Sequence, residues 1–228
     1  MRHDGCLPSF LARNHAAHQG PRDRRSGMTR KPCIVVAGMG RCGTSLMMQM
    51  LDAMGVSCIG SWPDYETDHS SIAGFDAAWF STLHGQAIKI LDPTNLPALN
   101  MPNHVVVWMD RDPKEQAKSQ VKFLRACGAT NPSNGQTVRA LAANLRKDRL
   151  HQRARLGLPG RCPEMCVCFE TLITEPAAAT QALVSFLAAH GWSGLYAPAA
   201  AAEVIARPPT CLPYFLEATL LLRGRQTA

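Results

Sequence analysis

Residues 33 to 51 read Cys-Ile-Val-Val-Ala-Gly-Met-Gly-Arg-Cys-Gly-Thr-Ser-Leu-Met-Met-Gln-Met-Leu. Ile34 to Ala37 is short, apolar and β-branched, the pattern of a strand buried on both faces of a parallel sheet. Gly38, Gly40 and Gly43 then permit backbone angles and close approaches that side chains forbid. From Thr44 onward Leu46, Met47, Met50, Leu51 and Met54 fall on one helical face, and Gly55 is placed to end the helix. A buried strand turning through glycines straight into a helix commits the chain to an α/β architecture. It also sets a loop at a helix N-terminus, where backbone N–H groups and the helix dipole favour an anion.

Gly38 to Ser45 keeps the spacing G-x-x-x-x-G-K-[ST] except at the lysine, where Thr44 stands. In loops that use nucleoside triphosphates, that lysine neutralises the β and γ phosphates and the next hydroxyl holds magnesium. Here the loop's cation is Arg41, followed by the hydroxyl pair Thr44 and Ser45. Such a cradle suits a single phosphate or phosphosulfate better than a triphosphate with magnesium.

Two further segments follow the same logic. His104 to Met109 is an apolar strand pattern ending in Asp110-Arg111-Asp112-Pro113-Lys114-Glu115. Pro113 suits a first helical turn, Asp112 is placed to cap it, and Glu115 has capping-box spacing. The helix puts Ala117, Val121 and Leu124 on its apolar stripe, with Ser119 off it. Farther on, Cys168-Phe169-Glu170-Thr171-Leu172-Ile173-Thr174-Glu175-Pro176 reads as a strand end followed by a capped helix.

In this order the segments resemble the sulfotransferases that use 3′-phosphoadenosine 5′-phosphosulfate (PAPS), in their bacterial form. Gly40-Arg41-Cys42-Gly43-Thr44-Ser45-Leu46 looks like the family's P-[RK]-S-G-T-[ST]-L, with Gly40 for the proline and Cys42 for the serine. The Arg-Asp-Pro at 111 to 113, with Ser119 eight residues beyond the arginine, matches the family's 3′-phosphate grip. The segment from Cys168 to Pro176 is similar to its Y-E-D-L-x-x-x-P. The resemblance implies a P-loop NTPase-like fold, with PAPS as donor and no metal. It implies that Gly40, Arg41, Cys42, Gly43, Thr44 and Ser45 hold the 5′-phosphosulfate and that Arg111 and Ser119 hold the 3′-phosphate. Arg41 would also stabilise the leaving phosphate.

Trp62-Pro63-Asp64-Tyr65-Glu66 resembles the stretch that supplies a carboxylate base in some bacterial members, which makes Glu66 the first candidate, with His69 and Asp64 behind it. Lys89 interrupts an otherwise apolar strand, Ala87 to Leu91. It either lies on an edge strand and snorkels, or points into the site to stabilise the transferring sulfuryl group. The implied reaction is in-line transfer to a hydroxyl or amine of a small-molecule or glycan acceptor. Two other readings stand beside it. One is a small-molecule or nucleotide kinase, for which Asp110 would be the magnesium carboxylate; the other is a non-catalytic nucleotide-binding member of the fold.

With 228 residues, one domain is expected, a single parallel β-sheet flanked by helices over 32–228, after a basic, disordered tail over 1–31. Seven Lys or Arg against two Asp give that tail +5 of the chain's +7, so the domain itself carries little excess charge. A nucleic-acid partner is therefore not expected. Met28 is an alternative start. No run reaches the ~18–20 apolar residues of a membrane span, and a cytoplasmic location is expected. Nine cysteines without a regular framework read as reduced thiols. Cys42, beside Arg41 at a helix N-terminus, is a candidate for a lowered pKa. Arg223-Gly224-Arg225 faintly echoes the family's C-terminal donor contact.

Overall fold

The computed structural model describes residues 30–66, 77–95, 103–126, 135–158 and 160–205. The tail over 1–29, His69 and Arg223 to Arg225 lie outside them. Among the described residues five strands form one wholly parallel sheet, β1 (Cys33–Gly38), β2 (Ser57–Cys58), β3 (Gln86–Leu91), β4 (His104–Asp110) and β5 (Glu164–Cys168), in the order β2-β3-β1-β4-β5. β1 is central and buried along its whole length, as its unbroken apolar run predicts.

The helices are α1 (Thr44–Ala53), α2 (Ala77–Thr82), α3 (Pro113–Ala126), α4 (Gly135–Arg155), α5 (Phe169–Thr174), α6 (Pro176–Ala189) and α7 (Ala197–Ile205). They cover both faces of the sheet. Because side chains alternate along a strand, Ile34 and Val36 enter one core with Leu46, Met50, Leu183 and Val204 of α1, α6 and α7. Cys33, Val35 and Ala37 enter the other with Phe80, Ala117, Ala142 and Leu145 of α2, α3 and α4. Each fully buried aliphatic side chain contributes about 1.5–3 kcal/mol of transfer free energy. None of the described helices is long and apolar enough to cross a membrane.

Strand order reverses around β1, so the segments leaving the carboxyl ends of β1, β3 and β4 meet over one crevice, the usual ligand position in open α/β sheets. The strand end read at Phe169 is already helical, because Phe169 and Leu172 dock into the core as α5. The segment after residue 193 contains α7, packed on α1 and α6. Lys89 is not an exposed edge residue: β3 lies between β2 and β1, Lys89 pairs with Val36 in register, and its side chain is buried.

Candidate functional site

The loop from Met39 to Gly43 joins β1 to α1. Gly43 stands at the N-cap of α1 with φ 102°, and no side chain caps the helix. A Cβ on Gly43 would lie 2.5 Å from Cδ2 of Phe169, so only glycine fits here without strain. Arg41 also has positive φ, 69°, which turns its side chain toward α3. There Nε of Arg41 donates to Oγ of Ser119 at 3.2 Å, and its guanidinium lies 5.1 Å from the centre of the Phe123 ring.

The peptide of Gly40 is held from three directions. Its N–H donates to Oδ1 of Asp92 at 3.3 Å, just past β3. Its carbonyl accepts from Nε2 of Gln116 at 2.8 Å and from Nε2 of Gln120 at 3.2 Å, both on α3. These bonds hold the loop without a ring at position 40. None of these three side chains belongs to a motif, and their partner lies 52 to 80 residues away.

Arg111 enters the same place from the end of β4. Its NH1 donates to the carbonyl of Arg41 at 3.0 Å, its guanidinium lies 4.4 Å over the Phe169 ring, and its Nε is 3.7 Å from Oε1 of Glu170. Arg111 is 8% exposed and Ser119 1%, so both are presented from a rigid, largely desolvated wall. Behind them Arg149 of α4 donates to Oδ2 of Asp110 at 3.0 Å and to the carbonyl of Arg111 at 2.8 Å, with its NH2 in ion-pair contact with Oδ1 of Asp110 at 2.9 Å. Burial pushes the Asp110 carboxyl above its ordinary value, against the lowering pull of Arg149. A lone arginine in the middle of a polar helix carries no local signal of this role.

Asp112 caps α3 as its position predicts, accepting from the backbone of Lys114 at 2.9 Å and Glu115 at 3.0 Å. The return bond of the expected capping box comes from elsewhere. Glu115 pairs with Lys118 at 2.6 Å, and the N–H of Asp112 donates to the Glu170 carboxylate at 3.2 Å. Glu170 thereby ties α5 to the β4–α3 turn, which local spacing does not reveal.

On the other flank, Nζ of Lys89 lies 3.4 Å from Oγ of Ser45 and 2.7 Å from Oε1 of Glu66, and it also donates to the carbonyl of Asp64. A buried ammonium thus sits between the phosphate loop and the first base candidate. The carboxylate of Asp64 accepts from the N–H of Glu66 at 3.1 Å, closing the turn that brings Glu66 inward.

Cys42 does not behave as its sequence position suggested. Its side chain is buried beneath the loop, within overlap distance of any Cβ on Gly38, and its N–H is spent on the carbonyl of Met39 at 3.2 Å. Burial pushes the thiol up to about 12, overriding the lowering effect of the helix N-terminal amides. Thr44 is buried as well, whereas Ser45 is partly exposed toward Lys89.

No protein-family model and no curated protein matches the chain. Among solved structures it is similar to the mouse sulfotransferase SULT7A1 complexed with PAP, with 10% identity, 78% of this chain and 64% of that one covered, and a TM-score of 0.49. It is similar to a sulfotransferase from Alicyclobacillus acidocaldarius, with 16% identity, 69% and 81% covered, and a TM-score of 0.48. A sulfotransferase domain from the curacin biosynthetic pathway gives 13% identity, 83% and 80% covered, and a TM-score of 0.43. The chain thus spans less than two thirds of the mouse protein.

Proposed function

We propose that the chain is a PAPS-dependent sulfotransferase. The observation that carries this reading is the meeting of Arg41, Ser119 and Arg111 at one end of the β1–α1 loop, with Arg41 Nε 3.2 Å from Ser119 Oγ and Arg111 NH1 3.0 Å from the Arg41 carbonyl. Arg111 and Ser119, 70 and 78 positions beyond Arg41, join it to supply two guanidinium groups and a hydroxyl beside a helix N-terminus that has no side-chain cap. That is the chemistry of a site for two separate anionic groups on one ligand, such as the 5′-phosphosulfate and 3′-phosphate of the donor.

In this reading the loop amides, Arg41 and Ser45 hold the phosphosulfate, and Arg111 with Ser119 holds the 3′-phosphate. The acceptor oxygen or nitrogen attacks sulfur in line. A bond from sulfur to the acceptor forms while the bond from sulfur to the bridging oxygen breaks, and 3′,5′-adenosine bisphosphate leaves with the electron pair. Glu66 takes the acceptor proton, with His69 as the other candidate. Lys89, fixed between Ser45 and Glu66, faces the charge that develops on the transferring group. The kinase reading needs Asp110 for magnesium, and Arg149 already occupies both of its oxygens, which counts against it.

Calorimetric titration with 3′,5′-adenosine bisphosphate, repeated with ATP and magnesium, tests the reading. Micromolar binding of the bisphosphate without ATP binding is expected. The reverse would establish the kinase reading, and silence from both would leave a non-catalytic member of the fold.

A further inference from the structure

Asp92 follows β3 and clasps the phosphate loop twice. Its backbone N–H donates to the carbonyl of Gly38 at 3.0 Å, one residue beyond the last β1–β3 pair, and its Oδ1 accepts from the N–H of Gly40 at 3.3 Å. Asp92 has φ 46°, in the left-handed region where aspartate is one of the few enriched side chains. The peptide on the other side of the Gly40 Cα is held by Gln116, which is 1% exposed and whose Nε2 donates to the Gly40 carbonyl at 2.8 Å. With the peptides before and after Gly40 both held, the backbone of Arg41 has little freedom, and its carbonyl is the acceptor for Arg111.

A carboxylate at this place needs a reason. If the loop holds an anion, a negative charge beside it repels that anion. Burial raises the Asp92 carboxyl above its ordinary value, the Gly40 N–H is the strongest influence pulling it back down, and the charge of Asp148 adds to the rise. The position disfavours a negative charge on both counts, and the bond to Gly40 is what the carboxylate supplies there. Proline, which the motif carries at position 40, has no N–H to give. Its ring Cδ would project where that hydrogen now points, and taking a bond of about 1.5 Å from the 3.3 Å contact leaves about 2 Å to Oδ1. A ring at 40 and a carboxylate at 92 therefore exclude each other.

Resting on the sulfotransferase reading, we infer that Asp92 is a positioning residue for donor binding: one hydrogen bond from the Gly40 N–H to its side chain sets the loop that receives the 5′-phosphosulfate, in place of a ring at position 40. Asp92 works as an acceptor, and its charge is a handicap to the anion that the loop holds. Its effect belongs to the 5′ end of the donor. The 3′-phosphate grip stands on other elements, Arg111 just past β4 and Ser119 on α3.

The test uses the full chain and calorimetric titration with 3′,5′-adenosine bisphosphate, adenosine 5′-phosphate and adenosine 3′-phosphate. Asp92→Ala removes the acceptor and should weaken binding of the 5′-phosphate about three- to tenfold, the scale of one hydrogen bond, while the 3′-phosphate changes by less than about twofold. A general loss of stability would move both nucleotides together. Asp92→Asn keeps an acceptor oxygen and drops the charge, so it should bind the 5′-phosphate at least as tightly as the native chain. Gly40→Pro should weaken the 5′-phosphate by at least about tenfold when Asp92 is present and recover most of that loss in the Asp92→Ala background. Native 5′-phosphate affinity in Asp92→Ala, parallel losses for the two nucleotides, weaker binding by Asp92→Asn than by Asp92→Ala, or no recovery in the double mutant overturns the positioning role alone. Failure of the native chain to bind the bisphosphate overturns both it and the sulfotransferase reading.

Discussion

Gly43→Ala probes the join between the loop, Phe169 and Arg111. The residue has φ 102° and ψ 15°, and holding an L-residue there costs about 1–2 kcal/mol. The new Cβ would lie 2.5 Å from Cδ2 and 3.1 Å from Cε2 of Phe169, against the ~3.5–4.0 Å of a normal carbon contact. The ring therefore has to move by about 1 Å in a closed core, an overpacking cost of about 1–3 kcal/mol. Alanine also restricts the unfolded chain, which returns about 0.4–1 kcal/mol. The net expectation is a loss of about 2–4 kcal/mol, read as a lower urea midpoint at unchanged m-value. Because the Arg111 guanidinium rests on that ring at 4.4 Å, bisphosphate affinity should fall as well. Repeating the substitution in a Phe169→Leu background removes the ring edge but not the backbone strain, so after the same unfolded-chain gain its cost should drop to about 0.5–1.5 kcal/mol. A loss below about 1 kcal/mol in the native background, or equal losses in the two backgrounds, would refute the steric reasoning.

Arg149→Met should destabilise the protein by about 2–4 kcal/mol in urea denaturation, because Asp110 loses its ion pair while remaining largely buried. Adding Asp110→Asn should recover part of that loss, and a neutral single mutant would show that the pair is idle. Arg111→Ala should weaken bisphosphate binding by about 1.5–3 kcal/mol, and Arg111→Lys should not restore it, since an ammonium cannot both stack on Phe169 and direct a bond to the Arg41 carbonyl. Wild-type affinity in either variant would remove Arg111 from the site. Glu66→Gln should lower turnover with little change in bisphosphate affinity, and undiminished turnover would transfer the base role to another residue. The buried thiols Cys33 and Cys42 and the half-buried Cys58 are held up to about 12 against an ordinary 9.0. Above pH 9 the unfolded chain releases protons that the folded chain keeps, so stability should fall as pH rises from 9 toward 12. At pH 8 a thiol reagent should leave native Cys42 unmodified until urea exposes it, and prompt reaction would contradict its burial.

Much of the framework is legible in the chain because its signals are local. The apolar run at Ile34 to Ala37, the glycines at 38, 40 and 43 and the helical stripe from Leu46 to Met54 encode β1, the loop and α1 within about 20 residues. The helix at 113 to 126 begins where Asp112 and Pro113 place it. Elements without such signals were harder to see. α5 is a single short helix of residues with middling helix propensity, held by the docking of Phe169 and Leu172 rather than by its own sequence. β2 is two residues long and exists only as a partner of β3.

Arg41 and Arg111 stand at turns after strands and Lys89 interrupts an apolar run, which marks them in the chain itself, whereas Ser119 and Glu66 were marked only by the resemblance to the sulfotransferase motifs. Which of them meet is a matter of sheet order. β3 and β4 flank β1, so Asp92 and Arg111 arrive at the loop from opposite sides, although they are 19 positions apart in sequence. The same packing hands the capping bond of Asp112 to Glu170, draws Arg149 onto Asp110 and buries Cys42 until its thiol titrates far above its ordinary range. Helix and strand periodicity need only neighbours in sequence, so the chain alone specifies them. Hydrogen-bond partners and desolvation depend on what lies across a few ångströms of space, and that distance exists only once the sheet has assembled and both its faces are covered.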